Sequence, residues 1–81
     1  METRVALISI IVEEGSATDE VNAILHEYNS IIIGRMGIPY RKKDIGIISI
    51  AVDGTQDTIN TLAGSIGKVD GVSAKAVYSN R

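Results

Sequence analysis

The chain has 81 residues, enough for one domain near the lower end of what a single core can sustain. Hydrophobic content is 44%, carried mostly by Ile, Val, Ala and Leu; Phe, Trp and Cys are absent, which excludes disulfides, thiolate metal sites and cysteine nucleophiles. A net charge of −2 gives no general attraction to nucleic acid or to anionic lipid.

Met1-Glu2-Thr3-Arg4 leads into an apolar run too short and too interrupted for a signal peptide or a membrane span, so the expected compartment is the cytoplasm. Arg4 to Val12 is apolar on both alternating sets, as in a strand covered on both faces. Glu13-Glu14-Gly15 ends it. Ser16 stands three residues before Asp19, a capping-box-like arrangement that predicts a helix start. Val21, Ile24, Leu25 and Tyr28 then mark one face of an amphipathic helix, with Asn29 and Ser30 as exit residues.

Two strands follow, about Ile31 to Gly37 and Ile45 to Asp53, joined by a turn with the only proline and three consecutive cations. A second helix is predicted from Thr55, with Asp57 in its first turn and Ile59, Leu62, Ala63 and Ile66 on its apolar face. Gly67 and Gly71 bracket its exit, and Val72 to Ser79 alternates as a last strand. The order is β-α-β-β-α-β. Ile8-Ser9-Ile10-Ile11-Val12 is echoed by Ile48-Ser49-Ile50-Ala51-Val52, each leading through an acid and a glycine into a helix. A duplicated βαβ predicts an α+β, ferredoxin-like domain spanning residues 1–81, its first and third strands central and both helices on one face.

Two helices cover one side of such a sheet. Ala6, Ile8, Ile10, Val12, Ile48, Ile50 and Val52 are expected beneath them. The opposite set, Val5, Leu7, Ser9 and Ile11 with Ile45, Ile47, Ser49 and Ala51, is almost as apolar and would be wetted in a monomer. A face of that kind marks an interface, so a homodimer or homotetramer is expected through Leu7, Ser9, Ile11, Ile47 and Ser49. Small Ser9 and Ser49 would let two sheets approach closely, or are simply small polar residues in half-buried strands.

Gly34-Arg35-Met36-Gly37-Ile38-Pro39-Tyr40 is the most individual stretch. Glycines three apart in a strand suggest a bulge, or close approach by a ligand or another subunit, with the fork of Arg35 open to a carboxylate or phosphate. The competing reading is an edge strand blunted by arginine, glycine and proline, and the residues alone favour it. Arg41-Lys42-Lys43 reads as a solvated hairpin tip before an anion patch. Paired carboxylates at Glu13 and Glu14 point to opposite sides of an extended chain and do not make a general acid/base pair. His26, the only histidine, lies about 150° round the helix from the apolar face, so it is expected on the surface. One imidazole builds no metal site unless symmetry copies converge or carboxylates join it. The three tyrosines form no stacking platform for RNA. No nucleophile–base pair or phosphate loop is present, so neither catalysis nor a cofactor is expected.

The Ile-Gly-Arg-Met-Gly-Ile-Pro-Tyr run, with Ile-Ile-Ser-Ile-Ala-Val-Asp-Gly-Thr before the second helix and Lys68-Val69-Asp70-Gly71-Val72 before the last strand, resembles the iron-only hydrogenase system regulators across nearly the whole chain. That family is similar in fold to amino-acid-binding ACT domains and to the C-terminal domain of the nickel-responsive repressor. The resemblance implies an oligomerising, effector-sensing module without catalysis. The repressor's nickel site needs several histidines and a cysteine, so with one His and no Cys it is not expected here, and no room is expected for a DNA-binding domain beside the βαββαβ unit. Regulation of transcription would therefore need a separate DNA-binding protein. By analogy with ACT domains, Glu14, Gly15 and Ser16 fall near a ligand site, with Arg35, Met36 and Gly37 as the other candidates. The alternative function is an assembly factor that contacts hydrogenase maturation proteins without a small ligand.

Overall fold

Alternation of burial along the chain sets the architecture. The computed structural model describes residues 2–13 and 15–80, Ser16 by its backbone alone. β1 (Arg4–Val12) buries Ala6, Ile8, Ile10 and Val12 and exposes Val5, Leu7, Ser9 and Ile11. β3 (Ile45–Gly54) repeats this with Ile48, Ile50 and Val52 buried. The two pair antiparallel at the centre of a four-stranded sheet, flanked by β2 (Ile32–Tyr40) and β4 (Val72–Tyr78) in the order β2-β3-β1-β4. α1 (Thr18–Glu27) and α2 (Gln56–Gly67) complete the βαββαβ order. Val21 and Leu25 of α1 and Ile59, Leu62 and Ile66 of α2 join the buried strand residues in one core, so both helices lie on the same face. This is the ferredoxin-like α+β fold.

Each helix starts differently. At α2 the Thr55 hydroxyl accepts the Thr58 N–H at 3.2 Å, satisfying one of the donors that a helix start leaves open. At α1 a 3₁₀ turn, Gly15–Ala17, winds directly into the helix, and Ala17 occupies the cap position without a side-chain bond. The capping role expected of Ser16 rests on a side chain outside the described residues.

β2 is longer than its sequence pattern predicts, running on through Pro39 to Tyr40. An edge strand can carry a proline because its missing N–H can face away from the ladder. The following turn closes with the Asp44 N–H on the Arg41 carbonyl, and Asp44 takes a positive φ of 56°, a conformation its short polar side chain tolerates.

The helices pack over β1, β3 and β4 and leave β2 uncovered. From Ile33 to Tyr40 every residue of that strand is exposed. No helix among the described residues is long and apolar enough to cross a membrane.

Candidate functional site

Two surfaces result from this packing, one on each side of the sheet. On the helix side, the uncovered strip of β2 and the first turns of α1 enclose a groove of about 280 Å³. Thr18 and Asn22, one turn apart on α1, form one wall; Arg35, Gly37 and Pro39 on β2 form the other, over a floor of Val12, Gly46 and Ile48. Arg35 reaches across it and donates from Nη2 to Asn22 Oδ1 at 3.0 Å. Asn22 is its sole hydrogen-bonding partner among the described residues, and no carboxylate pairs with it. Among the described residues the guanidinium is thus held by a neutral group, with no carboxylate against its charge, and it lines the groove.

A second hollow of about 160 Å³ continues from the first towards the hairpin turn, lined by Gly15, Tyr40, Arg41 and Asp44. The two share Thr18, Pro39 and Gly46. At that junction Gly46 pairs with Val12, and a Cβ there would stand 3.5 Å from the valine Cβ, in ordinary van der Waals contact. Gly37 is different: a Cβ would meet nothing within 4 Å, so it would project into open space.

On the opposite side, register places Leu7 between Ala51 and Val77, Ser9 between Ser49 and Lys75, and Ile11 between Ile47 and Ser73. β2 extends these rows with Gly34, Met36 and Ile38. Leu7 and Met36 are each 49% exposed, and Val77 is 63%. Lys75 is the only charge within the three rows. The outer rows are largely aliphatic, the middle one carries the two small serines, and no element of the chain among the described residues covers the face.

The sequence-derived candidates distribute over both surfaces. Arg35 and Gly37 line the larger groove and Gly15 the smaller. Met36, between Arg35 and Gly37 in sequence, pairs with Ser49 and belongs to the opposite, open face. Leu7, Ser9, Ile11, Ile47 and Ser49 share that face. Glu14 lies outside the described residues, and Ser16 is described only as part of the 3₁₀ turn. His26 is exposed, and among the described residues no three His, Cys, Asp or Glu side chains converge as metal ligands. Sequence reasoning missed Thr18 and Asn22. Their signal was there: two polar residues four apart on a helix share a face, and Asn22 is one step from the buried Val21.

Comparison with known proteins bears on identity. The structure of uncharacterized protein TM1266 from Thermotoga maritima is similar to this chain at 33% sequence identity and a TM-score of 0.91, covering 95% of this chain and 98% of that one. A formyltetrahydrofolate deformylase from Pseudomonas putida KT2440 shares the fold at a TM-score of 0.68 and 13% identity, this chain matching 29% of its length. No curated protein matches. Residues 4–76 match the TM1266-like family, described as "Iron-only hydrogenase system regulator, putative". With nearly the whole chain inside that match, and a solved relative over the same span at one-third identity, this protein belongs to the TM1266-like family.

Proposed function

We propose that this protein is a homo-oligomeric regulatory module of the iron-only hydrogenase system. It acts in the cytoplasm by binding rather than by catalysis, and its ligand or partner contacts lie at subunit boundaries. The observation that carries this reading is the uncovered face built on Leu7, Ile11 and Ile47, extended by Met36 and Ile38. Each large aliphatic side chain removed from water contributes roughly 1.5–3 kcal/mol, so a few half-exposed ones on each copy are enough to drive association. The description of the family supports the regulatory part of the reading. In the manner of ACT domains, ligand contacts would fall where the β1–α1 turn at Gly15 and the strand around Arg35 approach a neighbouring copy.

The test is solution mass by light scattering across a dilution series, joined to a thermal-shift screen of amino acids, nucleotides and metals. A stable dimer or tetramer with one stabilising compound is the expected result. A monomer at micromolar concentration removes the oligomer.

A second reading is an assembly factor that takes no small ligand and binds hydrogenase maturation proteins or a separate DNA-binding protein. The strand β2, exposed on both faces, favours it, because such a strand offers backbone and side chains to a partner together. Recovery of a maturation protein in a pull-down, lost in Arg35→Ala, would decide for this reading.

A further inference from the structure

We infer that the groove between α1 and β2 is a binding site for a small aliphatic monocarboxylate, with Arg35 as its anion-binding residue and Asn22 as the group that positions it. This deepens the reading of the protein as a ligand-responsive module and rests on it.

Four observations specify the ligand's chemistry. The Arg35 guanidinium has one Nη engaged by the neutral Asn22 Oδ1, which fixes its plane without cancelling its charge. A planar fork in that condition recognises a carboxylate through paired N–H donors. The floor and far wall are Val12, Ile48 and Pro39, which suit a hydrocarbon body and offer it no hydrogen bond. At about 280 Å³ the space falls just below the range for small-molecule sites, about 300–1,000 Å³, and so suits only a short chain.

The fourth observation is electrostatic. Asp19 and Glu20 occupy the first turn of α1, beside the Thr18 wall. Their field opposes a dianion, so the single guanidinium suits a monoanion better than a phosphate. Gly37 completes the fit. Nothing in the fold needs it bare, since a Cβ there would touch no neighbour, but any side chain at that position would occupy the groove.

The test is a titration of the full-length protein with isovalerate, followed by calorimetry and by backbone amide shifts. Isovaleramide is the neutral isostere and inorganic phosphate the competing anion. Saturable isovalerate binding at millimolar concentration or below is expected, with amide shifts confined to α1 and β2. Isovaleramide and phosphate should each bind at least about tenfold more weakly. Arg35→Gln should weaken binding by at least about tenfold. Gly37→Val, which keeps the arginine and suits a strand, should abolish binding by filling the space. Asn22→Ala should weaken it less than Arg35→Gln, with a steeper salt dependence as the guanidinium is released.

Absence of saturable binding overturns the inference. So does equal binding by Arg35→Gln, or equal affinity for isovaleramide or phosphate. Light scattering on the same samples separates the two levels of the argument. An oligomer that ignores isovalerate overturns the ligand class and leaves the oligomeric module standing. A monomer that binds it upholds the site and removes the oligomer.

Discussion

Ser9 and Ser49 stand directly opposite each other across the two central strands, and they hold the same place in the sequence repeat. Register pairs Ile8 with Ile50 and Ile10 with Ile48, so the residue before each serine faces the residue after the other. A pseudo-two-fold axis therefore passes between the two serines. It relates β1-α1-β2 to β3-α2-β4, and it emerges at the middle of the open face.

That placement makes the open face the first target. Leu7→Asp puts a charge beside the Ser9–Ser49 pair, on a side chain already half-exposed within one chain. The folded monomer should lose only about 1–2 kcal/mol, from half of a leucine's burial and the poor strand propensity of aspartate. An oligomer built on this face should fall apart, because an unpaired carboxylate buried in an apolar interface is costly. Light scattering should read the monomer mass while circular dichroism stays unchanged. An unaltered oligomer mass would place the subunit contact elsewhere.

The two sides of the sheet should differ sharply in cost. Ile50→Ala removes a fully buried side chain from the central strand and should cost about 2–5 kcal/mol. Val77→Ala, on the open face, should change stability by no more than about 0.5 kcal/mol in the monomer. Urea melts of the two variants side by side check this, and similar midpoints would contradict the assignment of faces.

Thr55 caps α2 and Ala17 caps nothing, so the helices should respond differently at their starts. Thr55→Ala should cost about 1 kcal/mol, a fall in Tm of roughly 4–8 °C for a domain of this size. Ala17→Ser should not destabilise α1 through any lost cap. Differential scanning calorimetry resolves shifts of that size.

Two glycines should give opposite signs. Gly71 has a φ of 78°, where a Cβ crowds the following carbonyl, and Gly71→Ala should destabilise by about 1–2 kcal/mol. Gly64 sits on the exposed side of α2 with nothing near its missing Cβ, and Gly64→Ala should stabilise by about 0.5–1 kcal/mol. Equal and same-signed Tm shifts would contradict one of these backbone assignments.

Much of this architecture was legible in the sequence because it depends on periodicity. The alternation through Ile8 and Ile50 fixed which side of each central strand meets the helices, and Val21 and Leu25 fixed the inner face of α1. The limits of elements were less legible. Pro39 reads as a stop, yet in an edge strand it costs no ladder bond. Ser16 reads as a cap, yet the 3₁₀ turn carries the cap position one residue further on. The groove was harder still. Gly34-Arg35-Met36-Gly37 looked like one motif, but the pleat sends Arg35 and Met36 to opposite sides of the sheet. Its other wall comes from α1, and no local pattern shows that Asn22 will meet a residue thirteen positions later.

The bulge at Ile33 also governs how this strand tolerates changes of length. Ile32 pairs with Val52 and Gly34 with Ala51, so Ile33 is a supernumerary residue between consecutive rungs. Deleting it leaves every other side chain of β2 on its present side. A deletion between Gly34 and Tyr40 exchanges inside for outside in part of the strand, moving guanidinium, methionine and glycine from one surface to the other. The irregularity thus works as a spacer that absorbs a lost codon, and insertions or deletions among relatives of this chain should collect there, while the seven residues after it keep their count.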